Sequence, residues 1–226
     1  ALNTGRIERT TVAGTIAVPD VATDAVLELL RRTGLATFDA QPVDGTVRAD
    51  ISVSGTLGAP VVAARGRARI ADVAPLAPDT PLGGPADLEF EATLQEAHLQ
   101  AILHEFNATA TGVIDLRAPY DATVDVAAPT VDLARALRRI ETPIPITGAA
   151  SATAHFAGTL EEWRKGRATI DVAAVDARAG ALPLRLAAPA RLEYGNDIVH
   201  VVSLEVLAGG TRLSASGALP VTAIDG

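Results

Sequence analysis

The sequence predicts an all-β protein, an elongated antiparallel sheet with one apolar and one polar face. Three observations predict it. Segment after segment alternates apolar and polar residues with period two, which is the periodicity of a strand rather than a helix. The apolar inventory is aliphatic: 48% of the 226 residues are apolar and only 3% aromatic, and 45 are alanine. A short glycine element recurs five times along the chain. The same composition excludes whole classes. Disorder does not suit so much aliphatic surface. With no Cys there is no disulfide framework, thiolate metal site or cysteine nucleophile. A net charge of −8 opposes phosphate neutralisation and hence nucleic-acid binding. No apolar run approaches the roughly 18 residues of a membrane-spanning helix.

The strands are read in chain order. Val47, Ala49, Ile51 and Val53 alternate with Arg48, Asp50 and Ser52. Leu88, Phe90, Ala92 and Leu94 alternate with Glu89, Glu91 and Thr93. Leu99, Ala101 and Leu103 lie between His98, Gln100, Ile102 and His104. Ala122, Val124 and Val126 enclose Thr123 and Asp125, and Ala152, Ala154 and Phe156 enclose Thr153 and His155. Ala168, Ile170 and Val172 alternate with Thr169 and Asp171, and Leu213 and Ala215 with Arg212, Ser214 and Ser216. Each segment is a strand of an antiparallel sheet wet on one side. Turn residues punctuate them at Pro42 to Gly45, Pro78 to Gly84, Gly180, Gly195-Asn196 and Gly209-Gly210.

Two stretches switch to helical spacing. Val21 to Arg32 is expected to be a short helix with Asp20 as its cap, and Thr130 to Ile140 a second one. Each ends in an arginine pair, Arg31-Arg32 and Arg138-Arg139, where cations complement a helix C-terminus on a solvated face. The repeated element is a small residue, then Gly, any residue, and Leu or Ile. It occurs at Ala13–Ile16, Ser54–Leu57, Thr111–Ile114, Ala157–Leu160 and Ser216–Leu219. Residues 51–70 align further with 154–170, each an alternating strand, a turn, and a second strand expected to start at Gly66 or Gly166. Loose repetition of a hairpin points to a long sheet whose units contact mainly their neighbours. Residues 1–226 therefore read as one continuous repetitive β segment, with 1–145 and 146–226 as possible sub-units. The chain contains no Met and opens on no leader pattern, so it is read as a section of a longer protein.

Catalytic signatures are missing: there is no G-x-S-x-G elbow, Walker loop, dinucleotide fingerprint or H-E-x-x-H. No enzyme, cofactor or metal site is expected. His98 and His104 are placed on one face of one strand, but with His155 and His200 they read as polar-face residues, not ligands. Glu161-Glu162 sit side by side in a turn and cannot flank a substrate as an acid and base pair. Asn107-Ala108-Thr109 fits a glycosylation sequon. Trp163, beside Arg164 and Lys165, reads as a cover for a hairpin end.

The repeated unit, an alternating strand ending in Ser/Ala-Gly-Thr-Leu followed by a turn and Gly-Arg-Ala, resembles the periplasmic region of TamB and AsmA-like proteins. Residues 146–220 carry the resemblance best, and the insert VDLARALRRI resembles that family's short helical interruptions. It implies a sheet curled into a U-shaped hydrophobic groove, or β-taco, with two short helical inserts at about 21–32 and 130–140. It implies a periplasmic location, in a segment of a protein anchored in the inner membrane of a diderm bacterium. The implied activity is movement of phospholipids toward the outer membrane, with phospholipid acyl chains as ligand and an outer-membrane barrel as partner of the full-length protein.

The physics of the alternation suits that role. A strand with one apolar face must cover it with a second layer or offer it to something apolar. Lined by Ala, Val, Ile and Leu, a curled sheet makes a trough for acyl chains, worth about 0.8 kcal/mol per buried methylene. The apolar sets named above, from Val47 to Ala215, are then the lining. Two other classes stay open. One is a structural β-protein, a closed sandwich or solenoid whose apolar faces pack together. The other is a non-enzymatic assembly factor or chaperone, such as a scaffold for outer-membrane protein insertion, working through exposed strand edges.

Overall fold

The computed structural model describes residues 10–32, 43–56, 58–73, 83–137, 144–160 and 162–220. Thirteen strands form a single antiparallel sheet. They are β1 (Gly14–Ala22), β2 (Gly45–Thr56), β3 (Ala59–Ile70), β4 (Ala86–Thr93), β5 (Glu96–Leu103), β6 (Ala108–Asp115) and β7 (Asp121–Asp132). After these come β8 (Ile146–Thr159), β9 (Arg167–Ala179), β10 (Leu182–Leu186), β11 (Ala190–Gly195), β12 (Ile198–Ala208) and β13 (Thr211–Pro220). Each strand from β1 to β9 pairs with the next in the chain. Both β10 and β11 lie between β9 and β12, so they are two halves of one strand interrupted at Ala187-Ala188-Pro189. The sheet is thus a meander twelve strands across, with β1 and β13 at its edges.

Consecutive strands reverse direction, so the connections fall on two rims. Short hairpin turns occupy one rim. Thr93 Oγ1 accepts from the Gln95 and Glu96 amides in the β4–β5 turn, and Asn196 and Asp197 take φ of 54° and 60° in the β11–β12 turn. The other rim carries the long connections β1–β2, β3–β4 and β7–β8, with helices α1 (Thr23–Arg32) and α2 (Leu133–Ala136). Polar contacts tie these inserts down. The Val43 amide donates to Asp24 Oδ1 at 2.9 Å, the Gly84 amide to Asp72 Oδ1 at 2.7 Å, and Arg135 of α2 pairs with Glu105 in the β5–β6 turn at 3.2 Å.

Several expectations are corrected. The first helix begins at Thr23: Val21 and Ala22 finish β1, and Asp20 lies in a bulge rather than capping the helix. Extended backbone wins there because Val21 and Ala22 pair with Val47 and Thr46 of β2. The second helix is confined to Leu133–Ala136 among the described residues. Thr130 to Asp132 remain in β7, and Asp132 caps α2 by accepting from the Arg135 amide. Gly66 does not start a strand but sits mid-way along β3, which begins at Ala59. Leu94 lies in the β4–β5 turn, and His104 lies beyond the end of β5. Arg138 and Arg139 fall outside the described residues, while Arg32 pairs with Glu28 at 2.7 Å on an exposed face.

Glycine has a packing role in two places. The ring of Phe90 lies across Gly66, whose Cβ, if present, would stand 2.4 Å from Phe90 Cζ and 2.4 Å from the Arg48 carbonyl oxygen. The ring of Phe156 lies likewise against Gly158 and Gly166. Aromatic rings laid over strand glycines cover the backbone that a missing side chain would expose. Gly66→Ala is expected to lower stability by about 1–3 kcal/mol in urea unfolding, as overpacking does. A Phe90→Leu background should not restore it, because the Arg48 carbonyl remains in the way.

The β6–β7 turn is fixed by Asp115, whose carboxylate accepts from the Arg117 amide and side chain, both at 2.9 Å. These hydrogen bonds hold its pKa at about 2, below the ordinary 3.8. A depressed folded-state pKa stabilises the turn above the unfolded value and loses that stabilisation as pH falls toward 2. Arg117→Gln should move the Asp115 titration up toward 3.8, read from its side-chain carbon shifts by NMR.

Candidate functional site: the apolar face of the sheet

Directly opposed residues of antiparallel strands share a face, so the register sorts every paired side chain. Crossing the sheet from β2, one row runs Ala49, Gly66, Phe90, Leu99, Gly112, Val124, Phe156, Ala168, Tyr194 and Val199. A parallel row runs Val47, Ala68, Leu88, Ala101, Ala110, Val126, Ala154, Ile170, Leu192 and Val201. The adjoining rows, with Ile51, Ala92, Leu103, Ala152 and Val172, have the same character. Leu213 and Ala215 extend the face onto β13, and Val53 lies at the far end of β2. All the residues named as lining in the sequence therefore share one face, apart from Leu94 in its turn. Among the paired residues of all thirteen strands, none on this face is charged; Tyr194 and Thr211 alone bring a hydroxyl.

The same register adds members that alternation had not marked. Ile16, Val18 and Val21 of β1 belong to the face, as do Val62 and Ala64 of β3 and Ile114 of β6. So do Leu184, Leu192, Val199, Leu204, Val206 and Leu219 toward the far edge. In β6 the signal is faint, because its residues on this face, Ala108, Ala110 and Gly112, are small. In β12 the pattern changes phase at Val202-Ser203, which hides it from a simple period-two reading.

Burial on this face is thin. Ten alanines of this face, among them Ala108 and Ala190 at 2% exposure, are buried; among the described residues the one large side chain fully buried is Val43, which lies outside the strands, before β2. Leu88, Phe90, Leu99, Val124 and Phe156 are half-buried, while Ile16, Leu213 and Leu219 near the edges are more than 50% exposed. Among the described residues no second sheet packs on this one: the strand-to-strand packing is between lateral neighbours, and the helices touch only β1, β2, β7 and β8. The accessible surface totals 14624 Å², against about 9,700 Å² for a compact monomer of this mass.

The opposite face is charged and internally paired. Arg65, Arg67 and Arg69 of β3 meet Glu91, Glu89 and Asp87 of β4 at 3.1, 2.9 and 3.4 Å, each pair directly opposed. The histidines fall here as well. His98 contacts Glu96 at 2.5 Å, His155 contacts Asp125 at 2.7 Å, and His104 contacts Asp87 at 2.9 Å from its turn. Among the described residues no group of three or more His, Cys, Asp or Glu could hold a metal ion. Two recesses of 770 and 310 Å³ open on this polar face, lined by residues such as Arg48, Arg67, Glu89, Asp125, His155 and Thr169. Aliphatic and aromatic residues join these in the lining, among them Val113, Phe90 and Leu99 in the larger recess and Val126 and Ala154 in the smaller. Trp163 is 38% exposed beside the guanidinium of Arg164, 5.5 Å from the ring centre.

Tyr194 is the polar side chain in the central rows of the apolar face. Its hydroxyl donates to the Arg164 carbonyl at 2.7 Å, with Asp197 Oδ1 at 3.2 Å. No helix among the described residues is long and apolar enough to cross a membrane. No family model, curated protein or solved structure matches the chain. Burial first, and the nearby Asp197 carboxylate second, raise the Tyr194 phenol above 10.0. In a Tyr120→Phe background, ultraviolet titration should show a late phenolate transition. Asp197→Asn should lower it in part, leaving the share due to burial.

Proposed function

We propose that this chain is a groove-type lipid carrier segment, non-enzymatic, that holds phospholipid acyl chains on its apolar face. The reading is supported by one observation: an uncharged aliphatic face runs unbroken across twelve strands, and no second sheet among the described residues covers it. Surface of that extent and character is stable when something apolar lies on it. At a strand spacing of about 4.8 Å, its rows run for roughly 50 Å. An acyl chain laid along a row meets aliphatic side chains, glycines and the two phenylalanine rings and no charged anchor, so it is held by methylene burial at about 0.8 kcal/mol each and is free to shift along the row. In this proposal the sheet curls toward its apolar side into a U-shaped groove. It works in the periplasm, as part of a longer TamB- or AsmA-like protein of a diderm bacterium. That protein is anchored in the inner membrane, passes phospholipid toward the outer membrane and can engage an outer-membrane barrel.

A photo-crosslinking amino acid placed in cells at Ile51, Phe90, Val124 or Ile170 should capture phospholipid. The opposed face provides the control, at Arg48 and Thr169. Equal capture from both faces, or none from the apolar positions, would overturn the proposal. Capture of nascent outer-membrane strands in place of lipid would point to the assembly-factor class.

A further inference from the structure

The rim of short turns presents a row of apolar tips. Leu94 tops the β4–β5 turn at 58% exposure and Leu116 the β6–β7 turn at 38%. Leu160 and Trp163 top the β8–β9 turn at 46% and 38%. Backbone hydrogen bonds join these turns to one another. The Leu116 amide donates to the Gln95 carbonyl at 2.7 Å, and the Leu160 amide to the Tyr120 carbonyl at 3.0 Å. Farther along, the Tyr194 hydroxyl donates to the Arg164 carbonyl and holds the turn that carries Trp163. The tips are therefore fixed in single file, with successive hairpins about 10 Å apart at two strand spacings. Turn tips ordinarily carry polar residues and glycine. Exposed leucines aligned on three successive tips are surface kept for an apolar contact.

We propose that this rim docks on a lipid bilayer, with the four tips set into the boundary between headgroups and acyl chains. The arrangement argues for a bilayer over a folded partner. A protein interface concentrates its anchors in a central, desolvated cluster. Here the anchors form a line one residue deep, with Gln95, Arg117, Glu162 and Lys165 among them. A bilayer accepts separate side chains anywhere along such a line, and its headgroup layer keeps the flanking polar groups hydrated. Trp163 has the amphipathic ring that concentrates at membrane interfaces. The Arg164 guanidinium lies over it, 5.5 Å from the ring centre, which places a cation at headgroup level when the ring is inserted. Charge is not the driving force. Arg117 pairs with Asp115 and Lys165 with Glu162, so attachment is by apolar burial. The inference rests on the turns and is independent of the carrier reading of the face. Strands that stand on a bilayer in this way bring the near end of the apolar face to the acyl boundary.

Trp163 is the one tryptophan of the chain, so its fluorescence reports this rim without a label. The full chain should float with phosphatidylcholine vesicles, and equally with vesicles that also contain phosphatidylglycerol. Its emission should shift to shorter wavelength and be quenched by lipids brominated on the acyl chain. L116S/L160S, at side chains already exposed, should weaken vesicle partitioning about tenfold or more with an unchanged melting curve. Ile144→Ser, exposed on the opposite rim, should leave partitioning as it is. A chain that does not bind vesicles would overturn the proposal. So would vesicle binding without a Trp163 response, binding that L116S/L160S leaves intact, or binding lost on raising the salt concentration. None of these outcomes alters lipid capture at Ile51 or Val124, so the two readings fail separately.

Discussion

The constraint on which this structure depends is phase. Side chains alternate across a strand, so a slip of one residue in any strand would swap its faces. In β3 it would bring Arg65, Arg67 and Arg69 onto the apolar side. The apolar pattern itself changes phase within four strands, and in each a bulge stands at the change. In β1 the face passes from Val18 to Val21 over Pro19-Asp20. In β7 it passes from Ala128 to Val131 over Pro129-Thr130, and in β9 from Val172 to Val175 over Ala173-Ala174. In β12 it passes from Val201 to Leu204 over Val202-Ser203. An extra residue in one strand rotates the following side chains by half a turn. The four bulges therefore restore the face that the sequence would otherwise have inverted. Those of β7 and β9 flank the same residue, Ser151 of β8, so a single row absorbs both corrections.

Keeping phase also explains how so thin a sheet holds together with few aromatics. A core of two layers needs bulky side chains to span the gap between them. Here ten alanines of the apolar face are buried although no second sheet covers it among the described residues, as Ala108 is beside Leu103 and Ala190 beside Val172. On the outer face the arginine and carboxylate columns of β3 and β4 add little energy individually, because the pairs are exposed. Their value lies in alignment. Arg67 meets Glu89 only when Gly66 meets Phe90, so charge pairing and ring-over-glycine packing select the same register.

Much of this was legible in the amino-acid sequence, and the limits have physical causes. Long alternating runs such as Val47–Val53 and Ala152–Phe156 identify both the strand and its face, because one period persists over several residues. The spacing of Val21 to Ala25 and Leu29 predicts a helix, yet its backbone pairs with Val47. A local pattern cannot weigh a partner 26 positions away. The Thr111–Ile114 repeat was visible, but β6 itself was not, since Ala and Gly on its inner side blur the contrast with Thr. Strands β10 and β11 are short, and Pro189 lies in the gap between them, where one strand breaks and resumes in phase at Ala190. The location of the apolar face follows from sequence and register together. What rests on that face does not, because an aliphatic surface carries no group that names its ligand.

The distribution of glycine on the apolar face bears on the proposed role. Gly14, Gly55, Gly112, Gly158 and Gly217, the glycines of the repeated element, all fall on this face. In a packed core such positions would be voids and would weaken it. On an open surface they do something else. Phe90 and Phe156, with Tyr194 the bulky side chains of their row, can lie flat because Gly66, Gly158 and Gly166 leave space beneath the rings. Each ring therefore lies along the sheet instead of standing out from it. A surface built for tight docking gains from protruding anchors seated in pockets. A surface over which flexible hydrocarbon is to move gains from their removal, since each protrusion would trap the chain on one side. The glycines lower the two rings, the bulges keep charges off the face, and the one polar side chain of the central rows, Tyr194, has its hydroxyl engaged by Arg164. The three features act in the same direction, toward a face with little relief and no fixed charge.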